Sequence, residues 1–360
     1  VVENQGSFGP LDAAAVARGV GGRGESDRRA RPRDADYGKV RSTLHSCVRD
    51  WAAEGRAERE QCYAPLLAEV RRLFPRASRH VRVLVPGAGL ARLALEVAAA
   101  GYSAQGNEFS YHMLLVSNFI LNCAQEAECC TLYPFVDQPS NVRRAEDRVR
   151  AVRIPDVSPA EVLHGGAYAD DAAAAAGTPA IDAHDGASSS AADASQNAGG
   201  VDFSMAAGEF LEVYADQRDA WDAILTCFFV DTAPVVLDYV AAIWRLLKPG
   251  GAWVNLGPLL YHWVPASGAD LDGAGPDFDD RYHQSIELPW DELRHAILAV
   301  GFELRSEETR TCNYTANPRS MMRTTYDCLF FTAVKPRGAA SLTTDAAASA
   351  GTLAAGPPGR

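Results

Sequence analysis

VRVLVPGAGLARLALEVAAAGYSAQGNE, residues 81 to 108, is the stretch from which the fold can be read. A β-branched run (Val81, Val83, Leu84, Val85) meets a glycine turn (Gly87, Ala88, Gly89). An apolar helical pattern follows (Leu90, Leu93, Leu95, Val97), and a second short strand ends on Glu108. Strand, tight loop, helix, strand and acid make the first half of a nucleotide-binding α/β domain. Glycines let the loop backbone pass close to a ligand, and a carboxylate at the tip of the second strand can accept both hydroxyls of a ribose. A nucleoside-containing ligand is therefore expected. A dinucleotide is disfavoured, because Arg92 stands where that fingerprint wants a third small residue, and no phosphate-binding GK[ST] follows. Because GxG also occurs in turns that bind nothing, the loop alone does not decide the ligand.

Composition narrows the function classes. At 360 residues and 47% hydrophobic, the chain can bury one large core or two modest ones. A formal charge of -12 opposes non-specific binding to nucleic acid or to an anionic membrane, since both reward positive proteins. No segment approaches the roughly 18 to 20 apolar residues of a membrane span. The eight cysteines (47, 62, 123, 129, 130, 227, 312, 328) include no CxxC pair and no cluster of metal-ligand spacing. Reduced thiols in a cytoplasmic or nuclear protein are expected, and no metal.

Outward from the central stretch, residues 1–36 read as a disordered leader rich in Gly, Ala, Arg and Asp. Two helical patterns at 38–54 and 58–74, joined by a turn at Gly55, form an N-terminal segment over 37–78 that should cover the ligand cleft. The main domain runs over 79–336. Its expected features are a helix from Tyr111 to Ile120, an irregular proline-containing stretch to Pro159, and a low-complexity insertion at 165–200 expected to be disordered. A strand then ends near Glu209, and a buried strand over 222–230 ends on Asp231, with Thr232 placed to cap a helix over 233–247. Lys248-Pro249-Gly250-Gly251 should stop that helix sharply. A strand at 252–257, a mobile loop at 266–281, a helix at 290–300 and strands at 302–308 and 326–334 complete the domain, before a disordered tail at 337–360. Seven strands ending in a pair joined without a helix predict an α/β, doubly wound Rossmann-like sheet with an antiparallel C-terminal hairpin.

The chain as a whole resembles the carnosine N-methyltransferase family, S-adenosyl-L-methionine-dependent enzymes of this fold. The resemblance is carried by VRSTLHSCVRDW, LVPGAGLARLA, QGNEFS, SNFILN, TCFFVDTA, LLKPGGAWVNLGPLLYHW, SIELPWDEL and SMMRTTYDCLFF, in that order over about 40–336. It implies a cofactor held by Ser46, Arg49, Gly87, Gly89, Glu108, Glu209, Phe210 and Cys227. Arg49 would pair with the methionine carboxylate, Glu108 with the ribose and Glu209 with the adenine amino group, while Phe210 offers a flat apolar wall. Ser46 departs from the family's Gln, and its shorter hydroxyl would reach the ligand through water. The resemblance also puts a small imidazole dipeptide among Asp231, His262, Tyr314 and Tyr326.

Each of these acceptor residues has a plain structural alternative. Asp231 could cap a helix, His262 could be a satisfied loop histidine, and a lone Tyr could be packing. If the resemblance holds, the expected catalytic residues are Asp231, His262 and Tyr326. Asp231 would accept one imidazole N–H, fix the tautomer and stabilise the cation that forms. Three readings follow: a carnosine methyltransferase yielding anserine, a methyltransferase of protein histidine or another imidazole metabolite, and a silent scaffold that keeps the fold. Neither nucleic acid nor membrane is an expected partner, and a homodimer is left open.

Overall fold

The computed structural model describes residues 34–163, 201–264 and 281–338. Residues 1–33 of the leader, the 165–200 insertion, residues 266–280 of the loop and most of the tail lie outside these residues, whereas 34–36, read as leader, and 281, read as loop, are helical. The elements, in chain order, are α1 (Asp34–Trp51), α2 (Arg56–Leu73), β1 (Arg82–Pro86), α3 (Arg92–Ala99), β2 (Ser103–Glu108), α4 (Tyr111–Cys123), β3 (Cys130–Leu132), β4 (Val152–Ile154) and α5 (Pro159–Leu163). They continue with β5 (Phe203–Ala207), α6 (Phe210–Val213), β6 (Trp221–Cys227), α7 (Val236–Leu246), β7 (Leu247–Gly257), α8 (Arg281–Gln284), α9 (Trp290–Val300), β8 (Glu303–Asn313) and β9 (Thr325–Val334). Seven strands form one sheet in the order β5-β2-β1-β6-β7-β9-β8. The chain also divides into two compact units, residues 1–208 with 312–325, and residues 209–311 with 326–360.

In the first unit β1, β2 and β5 pair in parallel, with Val85 opposite Gly106 and Gly106 opposite Met205. Val83, Leu84 and Val85 are buried, as their β-branched and apolar run requires. Gly106 has a packing reason. A Cβ there would lie 2.4 Å from Met205 Sδ and 2.9 Å from the Ala88 Cβ, so only glycine lets the strand pass under the loop. The stretch read as irregular holds structure the sequence reading missed. β3 and β4 pair antiparallel, with Thr131 opposite Arg153, and residues 145–147 make one 3-10 turn. Three-residue strands carry too few positions for alternation to be detected.

In the second unit β6 and β7 are parallel and β9 is antiparallel to β7, as the strand pair without a crossover helix predicts. Three expectations need correction. The buried strand stops at Cys227 rather than reaching Asp231, which lies in a 3-10 turn over Val230–Thr232. Thr232 does not cap the following helix, because its hydroxyl donates to the Phe229 carbonyl (2.6 Å) and the N-cap position belongs to Val235. The helix does stop sharply ahead of Lys248-Pro249-Gly250-Gly251, but these residues belong to the next strand, ahead of its expected start at 252. α7 ends at Leu246, and β7 already begins at Leu247. The helix's last carbonyls are met by a lysine far along the chain, as Lys335 Nζ donates to the carbonyls of Trp244 (3.0 Å) and Leu247 (2.7 Å).

Candidate functional site

The first unit carries the glycine turn. Gly87 (φ 64°), Gly89 (φ 55°) and Ala91 (φ 70°) all have left-handed backbones, so the loop turns three times between β1 and α3. Two of these turns are cheap because they fall on glycine. Glu108, at the carboxyl end of β2, closes the turn. Its Oε2 accepts the Gly89 N–H (2.8 Å), and its Oε1 accepts those of Phe109 (2.9 Å) and Ser110 (2.7 Å). Burial pushes the Glu108 carboxyl up, and these three N–H groups pull it back. A carboxylate accepts about four hydrogen bonds, so with three taken by the loop about one acceptor position on Glu108 is left for a ligand.

Against this loop lies the last turn of α1, with Ser46, Arg49 and Asp50 all buried. Trp51 Nε1 donates to the Leu90 carbonyl (3.0 Å), fixing the helix end to the loop. Gly55 allows the chain to double back, because a Cβ there would stand 2.2 Å from the Val48 carbonyl oxygen. Arg59 then caps α1 from α2 by donating to the carbonyls of Arg49 (2.7 Å) and Ala52 (2.9 Å). The Arg49 guanidinium is held by Asp50 Oδ1 (2.7 Å from Nε) and Tyr63, and lies 4.6 Å from the centroid of the Tyr314 ring. Tyr314, expected beside the acceptor, is thus placed against the expected cofactor arginine. Ser46 sits one turn before Arg49 on the same helix.

Arg92 answers the sequence's departure from the dinucleotide pattern. It is 2% exposed and serves as a buried brace. It donates to the Asp50 carbonyl (2.8 Å), Asp156 Oδ1 (2.6 Å) and Glu96 (2.8 Å), and lies 5.0 Å from the Trp51 ring centroid. The bulk that would crowd a pyrophosphate instead ties α3 to the end of α1.

In the second unit Glu209 is the N-cap of α6, its Oε2 accepting the Glu212 N–H (3.0 Å). Phe210 is buried in an aromatic cluster, edge-on to Phe229 (5.6 Å) and Tyr239 (5.3 Å), which stack on each other at 4.8 Å. Cys227 ends β6 half-buried. The next residue, Phe228, has φ 52° and donates its N–H to the Leu256 carbonyl (2.9 Å). Gly257 makes room for it, since a Cβ would lie 3.1 Å from the Phe228 nitrogen. This strained turn directs the chain into the 3-10 turn that holds Asp231. Nothing in an apolar run such as CFFVD signals a left-handed phenylalanine.

Asp231 is 3% exposed. Its Oδ2 accepts the Leu260 N–H (3.1 Å), and its carbonyl accepts the His262 N–H (3.1 Å), so the segment after β7 is bound to the segment after β6. Burial pushes the Asp231 carboxyl up to about 6, against the backbone N–H groups of Leu260 and of Asp231 itself. Burial also lowers the His262 imidazole, which is therefore neutral at pH 7. Tyr326, half-buried near the start of β9, lies edge-on to Phe228 at 5.8 Å. Asp231 and His262 are thus brought together within this unit, with Tyr326 beside the strained residue three positions before Asp231.

The class defined by the sheet order, the glycine turn and the acid ending β2 is a Rossmann-like domain of the methyltransferase type. Within that class, the family model for carnosine N-methyltransferase matches residues 26–175 and 181–337, and the chain belongs to that family. It is 40% identical over 307 residues to carnosine N-methyltransferase of Mus musculus, covering 84% of this chain and 64% of that protein. It is 38% identical over 294 residues to the protein of that name in Schizosaccharomyces pombe, covering 80% of this chain and 68% of that one. The chain thus spans less than two thirds of the mouse relative's length. Among solved structures it is similar to phosphoethanolamine N-methyltransferase 2 of Haemonchus contortus in complex with S-adenosyl-L-methionine. That likeness has 12% identity and a TM-score of 0.40 over 86% of this chain and 59% of the other.

Proposed function

We propose that this chain is an S-adenosyl-L-methionine-dependent N-methyltransferase that methylates the imidazole of carnosine to give anserine. Family membership supports the reaction, and the buried carboxylate of Asp231 is the observation that carries the acceptor class. The first unit fits the cofactor: the left-handed glycine turn leaves the backbone open at Gly89, where among the described residues a Cβ would meet only Asp50 within 4 Å, and Glu108 lies directly beside it. Arg49 would hold the methionine carboxylate, with Ser46 beside it, and Glu108 the ribose. In the second unit Glu209, Phe210 and Cys227 would serve the adenine. When bound, the cofactor supplies a methyl group made electrophilic by its sulfonium.

What remains for the protein is to present a neutral imidazole in one orientation. An imidazole ring has a pKa of about 6.5, so it is mostly neutral at pH 7. Asp231, ionised above about 6, accepts the N–H of the ring nitrogen that does not react, and so selects the tautomer. His262 and Tyr326, in the same unit as Asp231, position the dipeptide. We also propose a cytoplasmic or nuclear setting, supported by eight free thiols, Cys129 and Cys130 among them with their sulfurs 3.6 Å apart. The test is transfer of label from the cofactor to a panel of imidazole dipeptides and histidine-containing peptides. Carnosine should be methylated well above the peptides, and label appearing only in histidine peptides would overturn the acceptor.

A further inference from the structure

Asp50 is an acid in the last turn of a helix, where the macrodipole disfavours negative charge. It is also 1% exposed. Its Oδ1 is fully engaged, accepting Arg49 Nε (2.7 Å) and the Tyr63 hydroxyl (2.7 Å). Its Oδ2, equally buried, has no hydrogen-bond partner among the described residues. That oxygen faces the glycine turn, 3.9 Å from the position a Cβ would take on Gly89. A carboxylate oxygen left in this state is unfavourable unless a donor arrives with a ligand. Glu108, on the other side of Gly89, already accepts three backbone N–H groups and has no such deficit.

We propose that Asp50 binds the α-ammonium of the cofactor's methionine moiety through Oδ2, an inference that rests on the cofactor reading above. The chemistry is that of a zwitterion met by its mirror image. An α-amino acid presents a carboxylate and an ammonium on one carbon, and consecutive residues at the end of α1 present a guanidinium and a carboxylate. The Oδ1 pairing with Arg49 orients both, because it leaves Oδ2 as the oxygen directed at the loop. A compact cation with several N–H donors suits a single recessed oxygen better than a planar group does. The surrounding contacts hold the pair in place: Arg59 caps the Arg49 carbonyl, Arg92 holds the Asp50 carbonyl, and Trp51 pins the turn to Leu90.

The test measures binding by calorimetry, with S-adenosylhomocysteine, its analogue lacking the α-amino group, and 5′-methylthioadenosine, which lacks the amino-acid end altogether. The wild type should prefer S-adenosylhomocysteine to the des-amino analogue by about 10- to 100-fold, the range of a charge-assisted hydrogen bond in a buried site. In Asp50→Asn that preference should fall below about 3-fold, while 5′-methylthioadenosine binds as it does to the wild type. If Asp50 only orients Arg49, Asp50→Asn weakens both amino-acid ligands alike and keeps the preference between them, which overturns the proposal. If Asp50→Asn does not fold, a wild-type preference below about 3-fold overturns it, and loss of a larger preference in Asp50→Glu supports it. A wild type that binds none of the three ligands removes the cofactor reading itself, a result distinct from the loss of ammonium selectivity.

Discussion

Asp50, which is buried, and Asp156, which is only largely enclosed, are two aspartates on either side of the same arginine, and they are served very differently. Arg92 Nη1 donates to the Asp50 carbonyl and to Asp156 Oδ1. Asp156 has both carboxylate oxygens occupied, one by Arg92 and the other by Arg59. Asp50 has one oxygen occupied by two donors and the other by none among the described residues. Both face guanidinium groups, so charge alone does not separate them. What separates them is completeness. A carboxylate whose lone pairs are met from within the fold holds structure together, whereas one with an oxygen directed at a glycine turn is arranged for something the chain does not supply.

The largest effect should come from breaking the complete member. Asp156→Ala leaves Arg59 and Arg92 facing a buried gap, and loss of one partner from a buried ion pair costs about 3 to 5 kcal/mol. Denaturant unfolding should show a stability loss of that size, with insoluble protein as the extreme case. A loss under about 1 kcal/mol would show that the brace is ornamental and that completeness does not mark structural carboxylates. Next comes Glu108, which belongs to both kinds, since it closes the loop through three N–H groups and is also assigned the ribose. Glu108→Ala should weaken cofactor binding by roughly 2 to 4 kcal/mol. Unchanged affinity by calorimetry would remove Glu108 from the ligand site and leave it purely a loop clamp.

The two aspartates also show what the sequence could and could not disclose. β1, the glycine turn, α3 and β2 were legible because their signals are local: β-branched alternation, glycine where φ must be positive, and an acid at a strand tip within 28 residues. Asp156 was not legible, because its partners lie 64 and 97 positions away and proline-rich surroundings read as loop. Arg92 was seen only as a missing small residue, since the sequence shows what a motif lacks and not what a side chain reaches. Asp50 lay inside a quoted motif, VRDW, yet neighbouring Arg and Asp on a helix ordinarily read as a solvated pair. Asp231 was set at the end of a strand, whereas the left-handed turn at Phe228 breaks β6 without a glycine to announce it.

Asp231 sharpens the comparison from the second unit, for its charge is tolerated rather than fully met. Asp231→Asn preserves shape but replaces an anionic acceptor with an amide. Turnover on carnosine should fall by about 100-fold, the scale of one lost preorganised electrostatic contact. Stability should move the other way. The folded carboxyl sits at about 6, above its ordinary 3.8, so folding favours the protonated form. The ionised group then opposes folding in full above about 6, and this opposition fades to nothing below about 4. Asp231→Asn should therefore be no less stable than the wild type at pH 7.5, with any gain disappearing in acid. For the wild type, the same ionisation makes the rate fall as pH drops through about 6, where Asp231 and the acceptor ring both take up protons. A normal rate in Asp231→Asn would reduce this residue to holding the Leu260 N–H.

The smallest effect should come from Tyr314, which tests how far Arg49 depends on its neighbours. The Tyr314 ring faces the Arg49 guanidinium at 4.6 Å, a contact that lends the arginine orientation without taking up its charge. A cation over an aromatic face is worth about 0.5 to 2 kcal/mol, and the low end applies here because Asp50 already meets the Arg49 charge. Tyr314→Leu should therefore weaken cofactor binding by about 2- to 5-fold, whereas Tyr314→Phe, which keeps the ring, should bind the cofactor within about 2-fold of the wild type. The same pair reads the residue's expected acceptor role separately. A raised KM for carnosine in Tyr314→Phe, with cofactor affinity unchanged, would assign the hydroxyl to the dipeptide and the ring to Arg49. If Phe and Leu weaken the cofactor alike, the ring is not what supports the arginine. Asp50 would then be left, with Tyr63, to orient it, and the same oxygen pairing that directs Oδ2 at the glycine turn would also govern the geometry of the guanidinium.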